Sequence, residues 1–250
     1  MKNEKGIFFS VIISSDKSDL WERLWNSLLI KNKIPFEIIF VGPRPPVVKL
    51  PEFCTFIQTT VKPAQCWEIA SRKAVGEYLL FSPDDVTFSK GFLNKAYDRI
   101  IEKNNDKLVY TSIFRKKGRK KLKGEQLISK NYAFPKISFI CFYNTKIWRE
   151  LGGIDSRFVS LKGDVDMQLR FFENGGKLCF IKDCLVTEHD PHNIASLSKM
   201  VRDDKATLHS FWIKGPKFSD KRLKDVLPFD DKDILNLSQG PKKIGKKEWV

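Results

Sequence analysis

Short apolar runs alternate with helix-like segments through the first half of the chain. The run IFFSVII (7–13) is continuous, as in a strand that is buried on both faces of a sheet. Residues 19–29 repeat leucine and tryptophan at helical spacing, and Ser18 stands where an N-cap is expected. Strands separated by helices pair in parallel, so the pattern predicts an α/β protein with a mostly parallel central sheet flanked by helices. Further strands are predicted at 36–41, 53–58 and 77–81, and a further helix at 64–75.

The second half of the chain is less regular. Helices are predicted at 90–103 and 144–151, and two glycines, Gly152 and Gly153, close the second of them. Another helix opens at Asp164 and ends before the glycine pair 175–176. Strands are predicted at 107–114, 136–143, 177–181 and 184–189.

Two acidic pairs stand where predicted elements end or begin. Asp84 and Asp85 directly follow the strand at 77–81, and ligands of α/β sheets bind beyond the carboxyl ends of strands. Asp164 and Asp166 open a helix, and His189 follows the last predicted strand. Taken singly, such acids are most simply turn or helix caps, and the histidine is most simply packed or solvated. Together they can form an oxygen- and nitrogen-lined cleft that suits Mg²⁺ or Mn²⁺ holding a diphosphate.

The net charge of the chain excludes few classes of binding partner. Lysine and arginine outnumber acids by 45 to 30, and a net charge of +15 suits nucleic acid, an anionic membrane surface or a phosphorylated substrate. The basic clusters at 115–123 and 242–247 are not interleaved with aromatic residues, so no specific nucleic acid is predicted as a partner. The lysine-rich stretch 115–125 is either a solvated hairpin or a loop that closes over a site.

The absence of a linker and the cysteine content indicate the domain organisation and the cellular compartment of the protein. No Pro/Gly/Ser-rich linker precedes about residue 214, which predicts one domain over 1–214 and a basic C-terminal extension over 215–250. The five cysteines lie mostly in apolar runs without a CxxC pair, which predicts buried free thiols and a reducing compartment. No secretory signal or bilayer-spanning segment is recognisable. The expected location is therefore cytoplasmic, with peripheral contact with a membrane left open.

The order of these motifs resembles the family 2 glycosyltransferases, which have the Rossmann-like GT-A fold, over roughly residues 7–195. The motifs that carry the resemblance are FFSVIISSD, FEIIFVG, GEYLLFSPDD, LGGID followed by GDVDMQLR, and VTEHDPH. The family implies inverting transfer of a sugar from a nucleotide-diphosphate donor to an acceptor hydroxyl, with Mn²⁺ or Mg²⁺. The acceptor stays open among a glycan, a lipid-linked molecule and a protein.

The resemblance also implies a role for each candidate residue. Asp164 becomes the general base, and Asp85 and His189 become metal ligands. Asp166 and Arg170 are implied to support Asp164. The residues implied to bind the donor and its diphosphate are Ser14, Asp84, Asp166 and Arg170.

The chain departs from the family pattern at three places. Pro83 stands where many relatives have the first acid of the metal motif, Gly163 stands where a glutamate is common, and VGPRPP (41–46) lacks an aspartate that often contacts the nucleotide base. Two other classes therefore stay open. One is a catalytically silent GT-A-like domain that binds a sugar nucleotide or scaffolds a partner, and the other is a basic nucleic-acid binder.

Overall fold

The computed structural model describes residues 6–116, 118, 124–189, 198–213, 222–230 and 232. Its strands are β1 (Phe9–Ser14), β2 (Phe36–Gly42), β3 (Cys54–Gln58), β4 (Tyr78–Ser82), β5 (Val86–Phe88), β6 (Leu108–Lys116), β7 (Glu125–Leu127), β8 (Lys136–Ser138), β9 (Cys141–Asn144) and β10 (Lys177–Glu188). Its α-helices are α1 (Trp21–Leu29), α2 (Pro63–Lys73), α3 (Phe92–Lys103), α4 (Thr145–Glu150), α5 (Gly163–Glu173) and α6 (Ser198–Trp212). Two short 3-10 turns cover Ser18–Leu20 and Arg222–Asp225.

The central sheet has eight strands in the order β3-β2-β1-β4-β9-β6-β10-β5. Parallel pairs join β1 to β2 and β4, β2 to β3, and β6 to β10, whereas β9 runs antiparallel to both β4 and β6. The predicted α/β fold with a mostly parallel sheet is thereby confirmed. The carboxyl ends of β1, β2, β4, β6 and β10 consequently share one edge of the sheet.

Both faces of this sheet are covered by apolar side chains. On one face α2, α4 and α5 bury Ile69, Trp148 and Leu169 against the strands. On the other face α1 and α3 supply a second cluster, in which the ring of Trp21 stacks on that of Phe40 with centroids 4.0 Å apart. A sheet that is buried on both faces explains why its strands read as continuous apolar runs.

Several details differ from the sequence predictions. The strand predicted at 136–143 is broken, because Ile140 has a φ of 33°, and its halves β8 and β9 lie in different sheets. The strands predicted at 177–181 and 184–189 form one strand, β10, whose register against β6 shifts between Phe180 and Leu185. Ser18 does not cap α1, which begins at Trp21 without a side-chain cap.

Other predictions hold. The five cysteines are buried free thiols, as predicted. Asn144 caps α4 by accepting the N–H of Ile147 at 3.1 Å, and the glycines that close this helix have positive φ angles of 85° and 64°. Within the described chain, none of the helices is long and apolar enough to cross a bilayer.

Part of the predicted basic extension packs on the sheet domain. The carbonyl of Phe229 accepts the Arg72 guanidinium at 2.6 Å, and the carbonyl of Leu227 accepts the N–H of Ser156 at 2.7 Å. The side chain of Phe229 is buried in the same apolar cluster as α5. Residues 222–230 are therefore part of the structure around α5, and the last ten residues of the chain lie outside the described part.

Candidate functional site

Asp84 binds the loop that follows β1. Its Oδ2 atom accepts the hydroxyl of Ser15 at 2.6 Å, the N–H of Asp16 at 3.1 Å and the N–H of Lys17 at 2.9 Å. The Ser15 hydroxyl in turn accepts the indole N–H of Trp21 at 2.6 Å. A buried carboxylate is stable when such donors satisfy it, so Asp84 fixes the end of β1 beside the end of β4.

The backbone of Asp85 pairs with the end of β10. The N–H of His189 donates to the Asp85 carbonyl at 2.9 Å, which continues the antiparallel pairing of β5 with β10. The imidazole Nε2 of His189 lies 2.8 Å from the hydroxyl of Thr87. The structure therefore brings Asp85 and His189 together as neighbours, and it gives the two adjacent aspartates different surroundings.

These two neighbours are the candidates for a metal site. Within the described chain, no three His, Cys, Asp or Glu side chains form a metal-binding group. Mg²⁺ is commonly held by one or two carboxylates together with substrate phosphates, and imidazole is acceptable to Mn²⁺. The residue types of this neighbouring pair, a carboxylate and an imidazole, therefore fit a metal whose remaining ligands come from a diphosphate, and metal binding stays a prediction.

Asp164 lies in the first turn of α5 and is half-buried. Desolvation by burial raises the pKa of its carboxyl group, while the charge of Lys162 and backbone N–H groups at the helix start act against that rise. The negative charge of Asp164 also contributes to raising the pKa of the buried Tyr143 hydroxyl, so the two side chains are close. A half-buried carboxyl of raised pKa suits acid–base chemistry.

The glycine before Asp164 has a packing reason. A Cβ atom at Gly163 would lie 2.9 Å from Cγ2 of Ile154 and 3.3 Å from Cβ of Phe158. Both residues belong to the buried core. The glutamate that is common in relatives at this position would thus need this loop to move.

Asp166 and Arg170 lie beneath Asp164 in a buried ionic cluster. Their side chains pair through Asp166 Oδ2 and Arg170 Nε at 2.9 Å, one helical turn apart. Asp166 Oδ1 accepts the indole N–H of Trp212 at 2.7 Å and is 3.2 Å from Arg222 Nε. Both side chains thus bind protein groups, which gives a physical basis for their support of Asp164, and their part in donor binding stays a prediction.

Ser14 ends β1 on the face that carries α2. Burial raises the pKa of the nearby Cys66 thiol to about 12. The contact of Ser14 with a donor stays a prediction.

The lysine-rich stretch 115–125, either a solvated hairpin or a closing loop, is described at 115–116, 118 and 124–125. The Arg115 guanidinium donates to the hydroxyl of Thr187 at 3.1 Å, and Lys116 Nζ lies 3.3 Å from Glu188 Oε2. Both contacts are at the carboxyl end of β10, next to His189. Residues 117 and 119–123 lie outside the described residues.

The chain is similar in structure to S. aureus TarS. No family model matches the sequence, and no curated protein matches it. A TarS 1–349 structure in complex with UDP-GlcNAc superposes with a TM-score of 0.59 at 18% identity, over 81% of this chain and 67% of that chain. The corresponding complex with UDP gives 0.55 at 17% identity, over 81% of this chain and 66% of that chain, so the chain spans about two thirds of that TarS fragment. TarS is a GT-A-type glycosyltransferase.

The chain has the GT-A fold. In this fold class, the shared edge of β1, β4 and β10 is the position for a ligand, because it lies beyond the carboxyl ends of parallel strands. Asp84, Asp85 and His189 all lie at that edge. The GT-A resemblance that the sequence motifs carry is therefore confirmed at the level of the fold.

Sequence reasoning missed two residues of this GT-A edge. Ser15 and Trp21 form the chain of hydrogen bonds that ends on Asp84. The sequence does show two serines, Ser14 and Ser15, at the end of the first strand. It does not indicate which of them hydrogen-bonds Asp84. The roles of Trp212 and Arg222 had no signal, because their partners are 46 and 56 residues away.

Proposed function

We propose that the protein is an inverting glycosyltransferase that moves a sugar from a nucleotide-diphosphate donor to an acceptor hydroxyl. The observation that carries the proposal is Asp164, a half-buried carboxyl with a raised pKa at the start of α5. Asp164 belongs to a GT-A fold in which the acids Asp84 and Asp85 lie at the carboxyl end of β4. The glycosyltransferase TarS, solved with UDP and with UDP-GlcNAc, supports a UDP-sugar as the donor class.

In this mechanism Asp164 takes the proton of the acceptor hydroxyl. The hydroxyl attacks the anomeric carbon from the face opposite the diphosphate, which inverts the configuration at that carbon, and the nucleotide diphosphate leaves. A carboxyl whose pKa is raised by burial is a stronger base than an ordinary aspartate. The Asp166–Arg170 pair holds the helix turn that carries Asp164.

The donor would be held at the ends of β1, β4 and β10. Asp84 keeps the β1 loop in place, and Asp85 with His189 would bind Mn²⁺ or Mg²⁺. Such an ion supplies charge stabilisation for the leaving diphosphate when it is bound.

We also propose a cytosol-like location with peripheral contact with an anionic membrane. The five buried free thiols support a reducing compartment, and the net charge of +15 supports attraction to anionic lipid or to a phosphorylated acceptor. The acceptor class stays open among a glycan, a lipid-linked molecule and a protein.

The general base is tested by Asp164→Asn. We expect kcat to fall on the order of a hundredfold or more, the usual scale for a lost general base, with donor binding within a few-fold of wild type. Donor Kd by calorimetry and kcat by a UDP-release assay measure the two effects separately. Asp166→Asn is the comparison, and it should mainly lower the free energy of unfolding, by about 3 kcal/mol, because it breaks a buried ion pair. A folded Asp166→Asn enzyme that is inactive, beside a nearly normal Asp164→Asn enzyme, would move the base to Asp166.

The metal is tested by Asp85→Asn. The substitution removes a charged oxygen ligand, so Mn²⁺-dependent donor binding should weaken at least tenfold while the thermal transition shifts little. The measurement is donor Kd with Mn²⁺ and with EDTA, for wild type and variant. Equal Mn²⁺ dependence in both proteins would remove Asp85 from the metal site. A wild-type protein that binds UDP-sugars but never turns over any of them would favour a catalytically silent domain.

A further inference from the structure

The loop that leads into α5 is bound by a carboxylate from α6. Asp204 Oδ2 accepts the N–H groups of Ser160 and Leu161, each at 2.7 Å, and its Oδ1 accepts the N–H of Val159 at 3.1 Å. The Asp204 side chain is buried, with 3% of the residue exposed. Three consecutive backbone donors thus meet one carboxylate three to five residues before Asp164.

The same helix binds the chain again just after Asp164. The indole of Trp212 donates to Asp166 at 2.7 Å, and Trp212 is fully buried. Asp204 and Trp212 are eight residues apart on α6, which is about 12 Å along the helix axis. α6 therefore contacts the chain on both sides of Asp164, through backbone N–H groups before it and through the Asp166 side chain after it.

The start of α5 has no side-chain cap. Its N-cap residue, Lys162, has a left-handed φ of 74° and makes no side-chain cap hydrogen bond. Hydrogen bonds that a carboxylate accepts are about twice as strong as neutral ones. The contacts with Asp204 therefore contribute to fixing the loop that leads into the first turn of α5.

Asp204 is not needed for α6 itself. Its neighbours Asp203 and Lys205 are exposed to solvent, as expected on the outer face of a surface helix. A leucine or alanine at position 204 would satisfy the helix equally well by propensity. The buried acid is explained by the three N–H groups that it accepts.

We propose that Asp204 is a positioning residue for the transfer reaction: through the 159–161 loop it sets where the Asp164 carboxylate stands relative to the acceptor hydroxyl. The proposal rests on the proposed function and adds a residue to it. Asp204 itself does not touch the substrate. A misplacement of about 1 Å in a reacting group can cost on the order of a hundredfold in rate, so the effect on kcat should be large.

The test compares Asp204→Asn with Asp203→Asn. Asparagine keeps the size of the side chain but turns an N–H₂ group toward one of the backbone donors, so at least one of the three hydrogen bonds is lost. We expect kcat to fall about 10- to 100-fold and KM for the donor to stay within twofold, because the donor site lies at the strand ends and not on this loop. Asp203→Asn should match wild type in both. A kcat of Asp204→Asn within twofold of wild type, or an equal rise in donor KM, overturns the proposal.

Hydrogen exchange provides a reading that does not depend on activity. In the wild-type protein, the amides of Val159, Ser160 and Leu161 should exchange slowly, and in Asp204→Asn they should exchange at least tenfold faster, with the amides of β1 unchanged. Fast exchange of these amides in wild type overturns the proposal even if no variant folds. Wild type with protected amides but no transfer of any UDP-sugar leaves the contact standing and instead overturns the proposed function.

Discussion

Arg222 and Asp155 form a buried ion pair at 2.5 Å, although they are 67 residues apart in the chain. The guanidinium of Arg222 also lies 3.2 Å from Asp166 and 4.0 Å from the ring centre of Phe211 on α6. The segment 222–230 is thereby joined to the start of α5 and to α6 at once. A segment that sequence composition assigns to an accessory tail thus belongs to the support of the candidate base.

Replacing Arg222 by methionine should destabilise the fold. The change leaves the carboxylates of Asp155 and Asp166 with fewer partners in a buried place, and breaking such a pair costs about 3 kcal/mol. Urea unfolding monitored by tryptophan fluorescence measures the loss. Lys224→Met, two residues along and exposed, is the matched control and should stay within about 0.5 kcal/mol of wild type. Equal stabilities of the two variants would show that the ion pair contributes nothing.

Stability should fall in acid because of Asp155. Burial opposes its ionisation, but hydrogen bonds from Arg157 and Arg222 outweigh that effect and hold the pKa of its carboxyl below the ordinary range. A lowered folded-state pKa gives stability that is fully present above the unfolded pKa, about 3.9, and is lost as the pH falls through the folded pKa. Urea unfolding of wild type and Asp155→Asn at pH 7, 4 and 3 measures it. The difference between the two proteins should shrink below pH 4, and a difference that is constant with pH contradicts the assignment.

The pH–rate profile should report Asp164. Burial raises the pKa of its carboxyl, so the base is protonated, and activity is lost, at a higher pH than for an ordinary aspartate with a pKa of about 3.9. The acid limb of kcat, measured at saturating donor and metal between pH 4 and 9, should therefore have its midpoint above 4. The residual activity of Asp164→Asn should lack that limb. A wild-type limb at or below pH 4 is the contrary result.

Strong periodicity accounts for what the sequence could predict of the fold. Residues 7–13, 36–41 and 77–81 are apolar at all but one position each, because both faces of the strands of a covered sheet are buried. The short strand β5 and the break at Ile140 escaped prediction, since pairing with β10 and a left-handed φ are decided by distant neighbours. α6 was not predicted either. Its apolar side chains pack in the core cluster that contains α5, but its own sequence carries no recognisable motif.

The candidate site was predictable to the extent that its residues follow strand ends. Asp84, Asp85 and Asp164 were found because acids at the ends of buried elements stand out in the sequence. The separate surroundings of Asp84 and Asp85 were not predictable, because they depend on Ser15 from one strand and His189 from another. Contacts between side chains that only the folded sheet brings together cannot be recognised from the local sequence.

The end of β2 lies very close to the loop after β1. A Cβ atom at Gly42 would lie 1.7 Å from the carbonyl oxygen of Ser15, so every residue other than glycine would push β1 and β2 apart at the edge proposed for the donor. A mutational library built to change nucleotide preference would therefore gain nothing at position 42. Substitutions should instead be made at Pro43 and Arg44, which follow the end of β2. The Pro43 side chain is half-buried and the Arg44 side chain is exposed.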